Sequence, residues 1–175
     1  MQAAVTFTHA QVWAMLDGLA DPEIPVVSLR ELGILRDVRD GLNGQLEVVI
    51  TPTYSGCPAM GQIEDDIRGT LAAQGLQIKV VTQLAPAWTT DWMSDVAREK
   101  LRAYGIAPPR CSVHTPTATD SAVIRFATLS DREDVPCPQC GSSNTTEISH
   151  FGSTACKAQY RCLACMEPFD YFKPY

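Results

Sequence analysis

The 175-residue sequence lacks several features that mark common classes of protein. No apolar run approaches the roughly 20 residues of a membrane-spanning helix, and no basic stretch followed by an apolar one opens the chain. The sequence has only three histidines and no glycine-rich dinucleotide-binding loop. These absences predict a protein with no membrane segment, no export signal and no site for a dinucleotide cofactor.

Positive charge is also scarce in this chain. Lysine and arginine total 14 against 20 aspartates and glutamates, which gives a formal net charge of −6. The last part of the chain, residues 134–175, contains four acidic and three basic residues. Because phosphate backbones are bound by basic surfaces, this balance predicts that the protein does not bind nucleic acid.

Cysteine, in contrast, is frequent, and four of the seven cysteines form two Cys-x-x-Cys pairs separated by 21 residues. The four are Cys137, Cys140, Cys162 and Cys165. Each pair presents two sulfurs from one tight backbone turn, and two facing turns complete the tetrahedron typical of structural zinc in a β-ribbon. A rubredoxin-like iron or an iron–sulfur cluster would use the same four ligands, so the identity of the metal stays open.

The number of cysteines also bears on the compartment and on folding. Seven is odd and four belong to the metal pairs, which argues against a secreted disulfide framework and predicts a cytoplasmic protein. A ribbon confined to residues 134–175 is near the size below which an apolar core rarely suffices. We therefore expect its folding to depend on the metal.

The first 105 residues predict a separate α+β domain. Thr8 and Gln11 form a capping box for a first helix, which Asp21-Pro22 should end. Further elements are predicted at Ile34–Val38 (strand), Leu46–Thr51 (strand), Pro58–Gln74 (helix), Leu76–Leu84 (strand) and from Thr90 or Asp91 to Tyr104 (helix). The order α-β-β-α-β-α predicts a small mixed-sheet α/β sandwich.

The chain is therefore divided into three parts. Residues 1–105 are the α+β domain, residues 106–133 are a proline-containing connector with one candidate strand at 122–129, and residues 134–175 are the zinc ribbon. The predicted fold class is α+β, with the mixed-sheet sandwich followed by a zinc β-ribbon.

Cys57 is the cysteine outside the ribbon with the strongest indication of chemistry. It directly precedes Pro58, where the second helix should begin, and a helix N-terminus stabilises a thiolate. Asp21 and Glu23 lie in a proline-rich bend, and carboxylates together with a thiolate could hold iron transiently. The alternative is that Cys57 is only a small buried side chain.

Several motifs carry a resemblance to known families. The segments Asp21–Ser28, Leu32–Ile34 and Thr53–Pro58 resemble the small domain of SufT-type iron–sulfur maturation factors. Over nearly the whole chain, four further motifs resemble the PaaD family, a component of bacterial phenylacetyl-CoA epoxidases: Trp88–Trp92, Tyr104–Pro109, Phe151–Lys157 and Glu167–Lys173. Glu31 departs from this pattern, since relatives often carry aspartate there.

This resemblance implies an accessory component of the phenylacetyl-CoA ring-1,2-epoxidase of phenylacetate degradation. Such a component would assemble or mature the iron–sulfur or di-iron centre of the oxygenase system and would not be an enzyme on its own. Its implied partners are the oxygenase and reductase subunits and the iron–sulfur assembly machinery. Cys57 would carry iron or a cluster with help from Asp21 and Glu23, and the ribbon cysteines would hold zinc.

Other interpretations remain open at this point. The protein could instead be a scaffolding adaptor that docks oxygenase subunits through the ribbon and the aromatic segment Phe169–Phe172, or a thiol–disulfide oxidoreductase using a Cys-x-x-Cys pair. A homodimer is also open. Among single residues, Cys156 is a candidate accessory thiol or a buried one, and Cys111 is expected to be structural. His150 is a candidate substitute ligand, and Trp88 and Trp92 are expected to be core or interface anchors.

Overall fold

The structure, a computed structural model, describes residues 7–42, 44–109 and 134–175. It divides into two compact units, the first comprising Met1–Tyr104 with Tyr175 and the second Gly105–Pro174. No helix in the described ranges is both long enough and apolar enough to cross a bilayer.

Unit 1 has the predicted α+β architecture. Its elements are α1 (His9–Leu16), β1 (Leu35–Asp40), β2 (Leu46–Ile50), α2 (Met60–Ala72), β3 (Ile78–Thr82), a 3-10 turn (Thr90–Trp92) and α3 (Asp95–Tyr104). The sheet has the order β1-β2-β3, with an antiparallel β1–β2 pair and a parallel β2–β3 pair. The prediction of a mixed sheet combined with helices is therefore confirmed.

The ends of two helices differ from the prediction. The capping box of Thr8 and Gln11 starts α1 as expected, but the helix ends at Leu16 and does not reach Asp21. The backbone has already turned by Ala20, which forms an isolated antiparallel bridge with Ser28. Helix α2 starts at Met60 instead of Pro58, because the preceding residues form turns closed by single backbone hydrogen bonds.

The core of unit 1 includes one face of α2 and the central strand β2. Ile63, Ile67 and Leu71 recur at intervals of four residues and are at most 1% exposed, so one helix face is fully buried. On β2, the consecutive residues Val48–Ile50 are all buried as well, which is typical of a strand covered on both faces. This packing holds the loop between β2 and α2, and with it Cys57, in a defined position.

The predicted third helix is interrupted after its first turn. Met93 has an extended backbone (φ −74°, ψ 130°) and separates the 3-10 turn from α3. Gly33 makes this arrangement possible, since it has φ +72° and a Cβ there would lie 2.7 Å from Trp92 Cβ. The indole N–H of the buried Trp88 donates to Leu32 O at 2.9 Å. Trp88 is thus a core anchor, as expected.

Over residues 105–109 and 134–174, unit 2 is a four-stranded sheet with a small apolar core. Its strands are β4 (Ile106–Ala107), β5 (Thr145–Ser149), β6 (Lys157–Cys162) and β7 (Pro168–Phe172), in the order β4-β7-β6-β5. The core cluster consists of Ala107, Val135, Cys137, Ala158, Cys162, Phe169 and Tyr171. Two of these seven residues are metal-pair cysteines, so the apolar contribution from the described part of this unit is limited.

Two segments of unit 2 can be compared with what the sequence predicts, one at the start of the connector and one in the aromatic segment. The connector was expected to begin at Ile106, but Ile106–Ala107 forms a strand parallel to β7. The aromatic segment Phe169–Phe172 lies within β7, with Phe169, Tyr171 and Phe172 all buried. It is therefore the last ribbon strand and not an exposed patch. The candidate strand 122–129 and Cys111 lie outside the described residues.

Candidate functional site

The four cysteines of the two Cys-x-x-Cys pairs come together in unit 2. Their sulfur atoms all lie within 4.8 Å of one another, with 3.8 Å between the sulfurs of Cys137 and Cys165 and 3.5 Å between those of Cys140 and Cys162. Four thiolates around zinc at about 2.3 Å would be about 3.8 Å apart in a tetrahedron. The arrangement therefore fits a four-thiolate metal site.

Both pairs use the same local backbone geometry. In the first turn the N–H of Gly141 donates to Cys137 O at 2.9 Å, and Gly141 has φ +74°. In the second, Met166 takes the equivalent place with φ +66°, although it is not glycine. A left-handed conformation costs a residue with a Cβ about 1–2 kcal/mol. The repeated geometry shows that the turn demands this conformation even where the sequence supplies methionine.

The electrostatics of this cluster favour a cation. The backbone N–H of Cys165, with that of Ala164, lowers the pKa of Cys162 to about 6. The N–H of Glu167 lowers the pKa of Cys165, but burial and the neighbouring sulfurs outweigh it and raise that pKa to about 12. One thiolate thus forms readily while its neighbour resists a second negative charge. A bound cation would remove this repulsion.

Cys57 lies in unit 1, in the loop between β2 and α2. Its N–H donates to Tyr54 O at 3.3 Å and its carbonyl accepts from Met60 N–H at 3.4 Å, so the thiol precedes the helix by a turn. The side chain is partly exposed. The predicted position at the helix N-terminus is thus only approximate.

The predicted activation of Cys57 is not found. Burial raises the pKa of the thiol, and the negative charges of Glu23 and Asp21 raise it further. The backbone N–H of Ala59, which has the largest effect after burial, and the side chain of Tyr54 hydrogen-bond the thiol and lower the pKa, but burial and the two carboxylates together outweigh them. A helix N-terminus lowers a thiol pKa, whereas desolvation and adjacent carboxylates raise it, and at Cys57 the raising effects are larger.

The structure does bring Asp21 and Glu23 close enough to Cys57 for their charges to act on it. Asp21 is buried, and its Oδ1 accepts the backbone N–H groups of Glu23 at 2.9 Å and Ile24 at 2.8 Å. Asp21 therefore holds the bend that carries Glu23. Among the described residues, however, only the four ribbon cysteines have ligand atoms gathered closely enough to share one ion, so Asp21, Glu23 and Cys57 influence one another through charge and do not form a preformed ligand cluster.

The remaining candidates lie apart from the four-sulfur cluster. Cys156 is buried, and its sulfur lies 3.0 Å from Thr154 Oγ1. His150 Nδ1 lies 3.4 Å from Glu147 Oε1 and is not one of the clustered ligands found in the described ranges. This pair has the Glu-x-x-His spacing of ferritin-like di-iron ligands, which sequence reasoning overlooked. It adjoins a β-strand, whereas such ligands project from helices.

Sequence reasoning also missed Tyr54. Its side chain hydrogen-bonds the Cys57 thiol and packs near Gly56, where a Cβ would lie 3.9 Å from the tyrosine ring. The separation of three residues within one loop was the available signal, since such residues often meet across a turn.

Family models match each of the two units. Residues 9–82 match an iron–sulfur cluster assembly protein domain, and residues 122–173 match the PaaD zinc beta ribbon domain. The chain thus combines an iron–sulfur assembly domain with a metal-binding ribbon of four clustered cysteines.

Similar proteins place this combination in one family. The chain is 47% identical over 99% of both chains to a protein of Escherichia coli (strain K12) provisionally named as the D component of 1,2-phenylacetyl-CoA epoxidase. It is 33% identical to an Fe-S protein maturation auxiliary factor of Porphyromonas gingivalis (strain ATCC BAA-308 / W83), over 54% of this chain and 90% of that protein. The chain belongs to the PaaD family of phenylacetyl-CoA epoxidase components.

Solved structures match the first part of the chain. A domain of unknown function (DUF59) from Bacillus anthracis is 30% identical, over 53% of this chain and 90% of that one, with a TM-score of 0.48. A conserved hypothetical protein from Thermotoga maritima is 26% identical, over 57% and 98%, with a TM-score of 0.47.

Proposed function

We propose that this protein is an accessory component of a phenylacetyl-CoA epoxidase that assembles or matures the iron–sulfur or di-iron centre of the oxygenase system. Iron or a cluster is the cargo, and Cys57 carries it with Asp21 and Glu23. The clients are the oxygenase and reductase subunits, supplied through iron–sulfur assembly machinery. Family membership and the iron–sulfur assembly domain support this role.

The observation that carries the proposal is the placement of two carboxylates beside a partly exposed thiol. The same negative charges that disfavour a free thiolate attract a cation, so the site binds metal in exchange for the thiol proton. Because this ligand set is incomplete and reaches the surface, it can release what it binds. A closed tetrahedral site holds its metal instead.

The four ribbon cysteines have the opposite character, and we propose that they hold structural zinc. They supply a complete set of four sulfurs, two of them buried within the core of unit 2. A metal enclosed in this way has no open position for chemistry. The same enclosure keeps the thiolates from thiol–disulfide exchange, which disfavours an oxidoreductase using these pairs.

The decisive experiment compares the metal and sulfide content of anaerobically purified wild-type, Cys57→Ser and Cys156→Ser proteins. We expect about one zinc per chain in all three, and iron or sulfide only in the wild type and in the Cys156→Ser control. Retention of iron by Cys57→Ser would overturn the carrier role of this thiol. Iron in place of zinc in all three would overturn the zinc assignment.

Asp21→Asn and Glu23→Gln refine the experiment. Asparagine keeps an oxygen that can accept the N–H groups of Glu23 and Ile24, so the bend persists while the charge is removed. We expect either substitution to weaken iron retention several-fold. Iron retention equal to the wild type in both would show that Cys57 acts without the carboxylates.

A scaffolding adaptor is the second candidate, and one observation favours it. The described part of unit 2 exposes four large apolar side chains at its surface: Ile148, Phe151, Leu163 and Met166. Docking of oxygenase subunits would then use these residues and not the buried aromatic strand. A pull-down of oxygenase subunits that Phe151→Ser weakens and Cys57→Ser leaves unchanged would support this function over metal delivery.

A further inference from the structure

Unit 1 contains a cavity of about 370 Å³ next to the loop that carries Cys57. Its walls are mainly aromatic or aliphatic: Pro52, Tyr54, Leu84, Ala87, Trp88 and Tyr175. The indole of Trp88 is fixed by its bond to Leu32 O, and the ring of Tyr175 meets it edge to face at 6.3 Å. An engineered cavity of roughly 150 Å³ holds benzene, so this cavity can accommodate an aromatic ring with a substituent.

The cavity also has a polar side. Thr51, Thr53 and Ser55 contribute hydroxyl-bearing side chains to its lining. Thr51 is 1% exposed and its Oγ1 is buried, so this hydroxyl is closed off from the cavity. Thr53 and Ser55 are the hydroxyl-bearing residues left to meet a ligand, and a hydroxyl can donate or accept a hydrogen bond.

The charge of the lining limits the ligand further. The described residues that line the cavity include no aspartate, glutamate, lysine, arginine or histidine. A charged group inside would lose hydration without gaining an ionic partner. We propose that this cavity binds an uncharged ligand consisting of one aromatic ring and a hydrogen-bonding group such as an amide, a thioester carbonyl or a hydroxyl.

The position of the cavity relates it to the thiol. Tyr54 lines the cavity and also hydrogen-bonds Cys57, so a single side chain lies between the ligand and the thiol. A bound ring can shift Tyr54 and change the access of other molecules to Cys57. Binding itself, however, does not depend on iron, so the proposal holds whether or not Cys57 carries metal.

The test uses the full-length chain with its ribbon metal and phenylacetamide as a neutral probe, with phenylacetate as its charged counterpart. Titrations followed by calorimetry and by two-dimensional NMR should give a Kd of about 1 mM for phenylacetamide, as expected for a fragment of this size. Phenylacetate should bind at least about tenfold more weakly, since its carboxylate meets no cation in the lining.

Three variants locate the binding. Ala87→Phe places a ring at the exposed rim of the cavity and should abolish binding, whereas Ala72→Phe, at the exposed end of α2, should bind like the wild type. Thr53→Val keeps the shape of the side chain and should weaken phenylacetamide binding about three- to tenfold without loss of stability. Unchanged binding by Ala87→Phe, equal affinity for phenylacetate, or no saturable binding would each overturn the proposal.

Discussion

The two units of this protein are held together by different means. In unit 1 a complete face of α2 and the whole central segment of β2 are buried, and this extended apolar core can stabilise a fold by itself. In the residues of unit 2 that the structure describes, the core cluster has seven members, and two of them are cysteines of the metal pairs. Where apolar burial is limited, a metal ion has to supply the missing stability.

The cysteines of the two units differ in the same way. In unit 2 the backbone N–H of Cys165 lowers the pKa of Cys162 to about 6 while burial and the neighbouring sulfurs raise that of Cys165 to about 12, and the ligand set is complete. In unit 1 burial and two carboxylates raise the pKa of Cys57, and the set is open to solvent. The difference shows that one protein can use thiols both to retain a metal and, as we propose, to pass one on.

The largest effect should come from removing a ribbon ligand. Cys140 is exposed, so Cys140→Ser disturbs little packing but removes one of four metal ligands. Zinc binding in small domains supplies roughly 10–16 kcal/mol of folding free energy, so unit 2 should lose both its zinc and its resistance to proteases. Elemental analysis and limited proteolysis measure both. A Cys140→Ser protein that keeps its zinc and its resistance to proteases would contradict the view that the metal stabilises unit 2. Cys156→Ser serves as the control.

A core substitution in unit 1 should have a smaller effect and spare the metal. Ile67 is fully buried on α2, so Ile67→Ala should lower the free energy of unfolding by about 2–5 kcal/mol while zinc content stays the same. Urea unfolding of the metal-loaded chain measures the loss. Val96→Ala, at an exposed position of α3, should change stability by less than about 0.5 kcal/mol. Equal losses in both variants would show that the core is not what stabilises unit 1.

An ion pair of unit 1 should contribute less still. Lys100 Nζ lies 2.7 Å from Glu31 Oε1, and although burial opposes ionisation, this partner and Ser28 hold the pKa of Glu31 below its ordinary 4.5. Glu31→Gln should cost about 0.5 kcal/mol at pH 7. A lowered folded-state pKa stabilises above the unfolded value, so this cost should vanish as the pH falls below 4.5 and through the lowered pKa.

The control for the ion pair is Glu99→Gln, which removes the same charge from an exposed position of α3. Urea unfolding at several pH values should show no comparable pH-dependent difference for this variant. A Glu31→Gln deficit that persists undiminished at low pH would assign the loss to packing or capping and not to the charge.

The smallest effect on stability should come from the proposed transfer thiol. Cys57 lies in a loop and outside the core, so Cys57→Ser should change the free energy of unfolding by less than about 0.5 kcal/mol, although iron binding is lost. Thermal unfolding and metal analysis of the same sample separate the two effects. Strong destabilisation of Cys57→Ser would show that this cysteine has a structural role. The proposed difference between a transfer thiol in unit 1 and structural metal ligands in the ribbon would then not hold.

Much of the fold follows from local patterns in the chain. The capping box of Thr8, the helical spacing of Ile63, Ile67 and Leu71, and the spacing of the Cys-x-x-Cys pairs each reflect contacts between residues close in sequence. Such contacts depend on backbone periodicity, so the sequence alone determined the α+β class of unit 1, the ribbon and the identity of its four clustered cysteines.

Other features depend on contacts between residues that are distant in the sequence, and these only the tertiary structure decided. The charges beside Cys57 come from a bend more than thirty residues earlier in the chain, and with burial they reverse the pKa shift expected from the helix alone. The pairing of Ile106–Ala107 with β7 and the cavity beside Tyr54 also arise between separated segments. Desolvation and long-range charge depend on which surfaces meet, and no local pattern in the sequence specifies that meeting.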